Sequence, residues 1–328
     1  MTATRMVELW RGGMLESVHS GHAAVCDASG AVIEGWGDPA TVIFPRSACK
    51  MIQALPLLES GAGAGLSSER LALACASHNG AALHVGHVTE WLSEIGRTEA
   101  DLRCGAHEPK DEAERDRLIR AGERPCQIHN NCSGKHTGFL MLARHLRAGP
   151  EYVEIDHPVQ QAVRAAFEEV TGAPSPATGI DGCSAPNFAT SVAGLARAMA
   201  LFAVAGPGGD ARERAMHRLT RAMAERPEFV AGEGRACTEL MRAMGGRVAI
   251  KTGAEGVFVA ILPEQRLGVA LKIADGAARA AEAAVAAILV KLGALPPDHP
   301  ATRRHLDAPQ YNWRGIRTGE VRLAADFP

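Results

Sequence analysis

Lysine is scarce in this chain. It carries 35 basic residues, yet only Lys50, Lys110, Lys135, Lys251, Lys272 and Lys291 are lysines. Arginine stays charged in a protein, whereas a buried lysine can lose its proton and act as a base. A genomic bias toward arginine explains part of the pattern and makes each remaining lysine more informative. An excess of one charge is missing too. The 35 basic and 37 acidic residues nearly cancel, so no footprint for nucleic acid or an anionic membrane stands out. No apolar run reaches membrane-spanning length. The run from Met1 to Glu8 has no apolar signal core, which predicts a cytoplasmic location.

The eight cysteines (26, 49, 75, 104, 126, 132, 183 and 237) contain no C-x-x-C pair. In a reducing compartment they are expected as free core thiols, one or two of them available as metal ligands. Repeats and linkers are absent as well. With 46% hydrophobic and 22% charged residues, the composition is that of a soluble globular enzyme. A single domain over residues 1–328 is expected.

Strands are predicted at both ends and helices between them. Val7–Arg11, Leu15–Ser20, Ala23–Asp27, Val32–Trp36 and Thr41–Phe44 read as short strands, with Gly12-Gly13 as a turn. Helical spacing begins after Ser47, with Met51, Ile52, Leu55 and Leu58 on one face. The predicted helices are 68–76, 84–95, 111–121, 136–147, 158–171, 187–202, 210–224 and 234–244. Strands return at Arg247–Thr252, Gly256–Leu262 and Leu267–Ile273, followed by an alanine-rich helix over 276–292. Isolated hairpins are marginal, so both strand groups should share one antiparallel sheet. The expectation is an α+β fold: a sheet from about 1–45 and 246–292, packed with helices, plus a helical lobe over about 67–245.

Three short motifs then stand in order: Ser47-Ala-Cys-Lys50, Ser77-His-Asn79 and Lys251-Thr-Gly253. Singly each is weak. Ser47 and Lys50 could be a helix cap and a surface lysine, Ser77–Asn79 a helix-ending turn, and Lys251 an edge-strand lysine. Together they suggest a serine nucleophile with a lysine base. Lys251 could favour proton loss from Lys50 by like-charge repulsion, or hydrogen-bond Ser77. A glycine at 253 would let a substrate backbone approach. A fourth segment, Asn130-Asn-Cys132-Ser-Gly-Lys135-His136, fails as a phosphate loop because His129 and His136 stand where the pattern needs Gly and Ser or Thr. Its thiol beside lysine and histidine suggests a metal ligand or reactive thiolate, and the loop holding Cys183 could meet it. Two free cysteines is the plainer alternative.

These segments resemble the L-asparaginase II family, the inducible zinc-containing rhizobial type. The resemblance rests on seven stretches in order: 7–12, 44–50, 74–80, 129–138, 181–186, 251–258 and 270–276. It implies a serine β-lactamase and glutaminase-like fold, a homodimer, and hydrolysis of L-asparagine to L-aspartate and ammonia. It implies Ser47 with Lys50 as one serine–lysine pair and Ser77 with Lys251 as a second. It implies a zinc ion on Cys132, Lys135 and Cys183, and substrate contacts from Asp181, Arg46, His136 and Asn79. Met51 and Ala81 depart from the family pattern, which has proline and an acidic residue there. The rival readings are a glutaminase, a β-lactamase or penicillin-binding-type hydrolase, and a catalytically idle, zinc-stabilised asparagine sensor.

Overall fold

The structure is a computed structural model and describes residues 2–306 and 308–328; Met1, where the N-terminal run begins, lies outside them. The chain divides into two compact units. One comprises Met1–Ala48, Thr190–Val204 and Glu239–Pro328, the other Cys49–Ala189 and Ala205–Thr238.

The first unit is built on an eight-stranded antiparallel sheet. Its strands run in the order Pro309–Tyr311, Arg317–Leu323, Thr4–Arg11, Met14–Cys26, Leu267–Ile273, Val257–Leu262 and Ala249–Gly253, and Val32–Trp36 also pairs with Met14–Cys26. N-terminal and C-terminal strands thus share one sheet, as hairpins with exposed edges require. Gly12 and Gly13 turn the first hairpin with φ of 55° and 80°, the positive pair that a two-residue turn needs to follow strand twist.

Two helices pack on this sheet. Val192–Val204 lies so close that a Cβ on Gly268 would stand 2.1 Å from the Ala200 backbone nitrogen. The alanine-rich helix Ala278–Lys291 packs on strands 257–262 and 267–273, its small side chains permitting close approach. The strand Val257–Leu262 is consequently buried at every position. Each such aliphatic side chain contributes about 1.5–3 kcal/mol of transfer free energy.

The second unit is mainly helical. Ser68–Ala74, Ser133–His145 and Ala211–Glu225 pack together around Lys50–Gln53, Leu55–Glu59 and Pro158–Thr171. The helix Ala211–Glu225 starts at a reciprocal Asp210–Glu213 cap, which satisfies two otherwise unpaired backbone donors. Pro158–Thr171 begins with proline at its first turn and ends at Gly172 in the left-handed region. Among the described residues no helix is long and apolar enough to cross a membrane.

Candidate active site

The candidate residues fall in both units, and each unit builds its share from local backbone constraints. In the first, the edge strand Ala249–Gly253 carries Lys251. This lysine is completely buried, not the exposed edge residue of the plainer alternative, and its Nζ donates to the Thr252 carbonyl at 2.7 Å. The following glycine has a different reason from the expected one. A Cβ on Gly253 would lie 2.6 Å from the Pro45 carbonyl oxygen and 3.0 Å from the Ala48 nitrogen. The close approach that excludes a side chain is therefore the chain's own turn, the one that carries Ser47.

Arg46, just before the serine, sits at φ 52°. A non-glycine residue in the left-handed region costs about 1–3 kcal/mol and persists where the surroundings enforce it. The helical turn Arg46–Cys49 follows, and the Ala48 N–H closes it onto the Pro45 carbonyl at 3.0 Å. Ser47 is half-buried on this turn. The Arg46 guanidinium lies 4.0 Å from Glu255.

In the second unit Lys50 opens the helix Lys50–Gln53 and is completely buried. Its Nζ donates to the Ala76 carbonyl and lies 3.0 Å from Ser77 Oγ. The segment after helix Ser68–Ala74 is not a simple helix-ending turn. It is suspended on its neighbours: Ser77 N–H donates to Val230 O at 2.9 Å, His78 N–H to Asn131 O at 3.2 Å, and Asn79 O accepts from Asp111 N at 2.9 Å. Asn79 is buried, with its carboxamide against Gly232 and near Asp111. His78 accepts the Gly80 N–H at Nδ1, so its Nε2–H donates to Ser133 Oγ at 2.9 Å. Burial first, then nearby positive charge, holds this imidazole well below its usual range.

The two cysteine loops do meet. Lys135 Nζ lies 3.1 Å from Cys183 Sγ, and the Cys132 and Cys183 side chains share a hydrogen bond. All three residues are buried. The bond from Cys132 favours thiolate on Cys183 against the cost of burial, and the Lys135 charge assists. Burial disfavours the Lys135 ammonium, but the charges of Cys183 and Cys132 outweigh it and raise the pKa. Cys132 caps the helix Ser133–His145, its N–H held by Asn130 Oδ1 at 2.9 Å. Cys183 sits in a turn closed by Asp181 N to Ala185 O at 2.9 Å, with Ser184 at φ 69°. No group of three His, Cys, Asp or Glu that could hold a metal ion occurs among the described residues. The convergent set is instead two thiols and an amine, soft and nitrogen donors of the kind zinc accepts, so these residues fit that ion once Lys135 gives up its proton.

His136 follows in the same helix, and its Nδ1 lies 2.9 Å from the Tyr152 hydroxyl. That oxygen also accepts the Arg103 N–H. His136 Nε2 is buried with no hydrogen-bond partner among the described residues. Asp181, Lys50, Lys135 and Cys132 all act electrostatically on this ring, burial being the largest influence. Sequence reasoning missed the roles of Tyr152 and His78. The chain has only two tyrosines, and that rarity was the one available signal for the first.

The sequence model of L-asparaginase II matches residues 7–323. The chain belongs to the L-asparaginase II family. That family is one of amidohydrolases. A search of curated protein sequences returned no significant match. Among solved structures, the chain is similar to Mglu in its native form (13% identity, TM-score 0.45, covering 80% of this chain and 61% of that one). It thus spans about three fifths of that protein's length. It is also similar to a beta-lactamase from Mycobacterium bovis (16%, TM-score 0.45, 83% and 94%) and to a class C beta lactamase from Rhodobacter sphaeroides (16%, TM-score 0.41, 80% and 92%). For this L-asparaginase II family chain the residue-level assignments rest on its own geometry.

Proposed function

We propose that the protein hydrolyses the side-chain amide of L-asparagine to L-aspartate and ammonia. The observation that carries this reading is the buried Lys50 amine beside the Ser77 hydroxyl at 3.0 Å, in a chain of the L-asparaginase II family. In its unprotonated form Lys50 takes the proton of Ser47 as the serine oxygen attacks the carboxamide carbon. Ammonia leaves and a β-aspartyl ester remains, which water then cleaves. Ser77 and Lys251 form the second serine–lysine pair and relay protons. The hydrogen bond from Lys50 to Ser77 also favours a second assignment, in which Ser77 attacks and Ser47 assists.

Asp181 is the partner proposed for the substrate's α-ammonium, with Arg46, His136 and Asn79 as further contacts. The unpartnered Nε2 of His136 supports this, because a buried polar atom left unpaired costs about 1–3 kcal/mol unless something pairs with it. Cys132, Lys135 and Cys183 would hold zinc, which when bound orders these loops or fixes the substrate carboxylate. A homodimer in the cytoplasm completes the reading, and sedimentation of the purified protein tests the dimer.

The test of function is ammonia release from L-asparagine, run beside L-glutamine and a chromogenic β-lactam. Release from asparagine alone is expected. One methylene is worth only about 1–3 kcal/mol in a pocket, so comparable release from glutamine would widen the substrate class. Turnover of the β-lactam without ammonia from asparagine would overturn the reading.

A further inference from the structure

Apart from the serine–lysine and zinc-site residues, a cluster among the described residues joins a nucleophile, a base and a carboxylate. Cys126 Sγ lies 3.3 Å from His129 Nδ1. His129 Nε2 lies 3.4 Å from Glu114 Oε1, and the same oxygen accepts from Arg117 at 2.8 Å. His129 and Glu114 are buried, whereas Cys126 is the one cysteine that is not.

The tautomer of His129 follows from the backbone. Its Nδ1 accepts the Cys126 N–H at 3.1 Å, so that nitrogen carries a lone pair and the proton sits on Nε2, facing the Glu114 carboxylate. That lone pair is shared between the backbone N–H and the thiol; it takes up the thiol proton as the Cys126 N–H is released, while the carboxylate orients the ring, the arrangement that activates a cysteine nucleophile. The donors stand on opposite sides of the imidazole and cannot converge on one metal ion. The contacts also cap the short turn Gln127–His129, but capping requires neither a half-exposed thiol nor a carboxylate on the far nitrogen.

We propose that Cys126, with His129 as base and Glu114 as positioning residue, is an oxidation site for hydroperoxides. The Cys126 sulfur attacks one oxygen of hydrogen peroxide. An S–O bond forms as the O–O bond breaks, and sulfur gives up two electrons. The departing hydroxide takes the thiol proton held on His129 and leaves as water. The product is Cys126 sulfenic acid.

The other thiols provide an internal contrast. Burial pushes Cys26 up to about 11, and Cys49 and Cys104 up to about 12. Cys183 is buried and held against Lys135, and peptide mapping separates it from Cys126.

The experiment treats the full chain with hydrogen peroxide and traps sulfenic acid with dimedone, mapping adducts by mass spectrometry. Rapid labelling of Cys126 is expected, at least about tenfold faster than the same reaction of glutathione at the same pH. It should slow by about tenfold in Glu114→Gln, and Cys126→Ser should remove the adduct. A wild-type rate no faster than that of glutathione overturns the proposal whether or not the variant folds. So does an unchanged rate in a folded Glu114→Gln protein.

Discussion

Lys50 Nζ lies 3.0 Å from the Ser77 hydroxyl, although 26 residues separate them in sequence. The contact exists because Lys50 opens a buried helical turn while residues 77–79 are drawn out of helix and pinned by backbone bonds to Val230, Asn131 and Asp111. A lysine so placed is buried and is no surface charge. Lys50→Met should lower kcat for ammonia release by about 10²–10⁴. Lys50→Arg should not restore it, because a guanidinium keeps its proton. Steady-state assays on variants with native circular dichroism check both.

Gly253 makes a second prediction, tied to the serine turn. In Gly253→Ala the new methyl meets the Pro45 carbonyl and the Ala48 nitrogen, both backbone atoms that cannot swing away. The expected cost is about 1–3 kcal/mol of stability, with a fall in kcat because the strained turn at Arg46 must shift. Thermal melts and asparagine turnover would show both. An alanine variant with wild-type melting and rate would mean that the turn is freer than it looks.

Much of the fold was legible, for reasons visible at particular residues. Val32–Trp36, Leu267–Ile273 and Pro158–Thr171 were read to the residue, because period-two alternation, flanking turns, or proline and glycine at the two ends mark them locally. Met14–Cys26 was read as two strands instead of one; Gly21 and His22 interrupt the apolar pattern within a strand that pairs on both sides. The helix expected from 187 starts at Val192, after two short strands at Pro186–Phe188 and Thr190–Ser191. Pro186–Phe188 pairs with nearby Thr178–Ile180, whereas Thr190–Ser191 pairs with distant Val42–Ile43, a partner no local helical propensity could reveal. The ribbon Pro309–Tyr311 with Arg317–Leu323 was missed, since its polar, glycine-bearing sequence lacks an apolar face. For the candidate site, motif residues were legible but the Lys50–Ser77 contact and the Tyr152–His136 bond required the fold.

The pH dependence of stability has a defined sign. His78 and His84 stack with ring centres 4.7 Å apart, and burial, the largest cause, lowers both below the usual histidine range. The folded protein keeps these rings neutral where the unfolded chain takes up protons. Their contribution is therefore full above about pH 6.5 and is lost as pH falls below it toward the depressed folded values. The urea midpoint should drop between pH 7.5 and 5.5, and His84→Gln should flatten that drop. An equal pH slope in the variant would locate the titration elsewhere.

Zinc content is open to direct measurement. Protein purified without added metal should carry zinc, and Cys132→Ala should not, since two of the proposed donors cannot hold the ion as three do. Loading apoprotein should release protons, because Lys135 must lose one to bind. Equal zinc in wild type and variant would remove the ion from the account.

Acyl transfer through a lysine-activated serine leaves a covalent intermediate. Its most direct test is rapid acid quench of the enzyme during turnover of L-asparagine, with mass spectrometry of the serine-bearing peptides. A β-aspartyl ester is expected on the Ser47 peptide and is absent from Lys50→Met. The same ester on Ser77 would exchange the roles of the two serines. Ammonia release at full rate with no acylated serine in the quenched enzyme would contradict the mechanism itself.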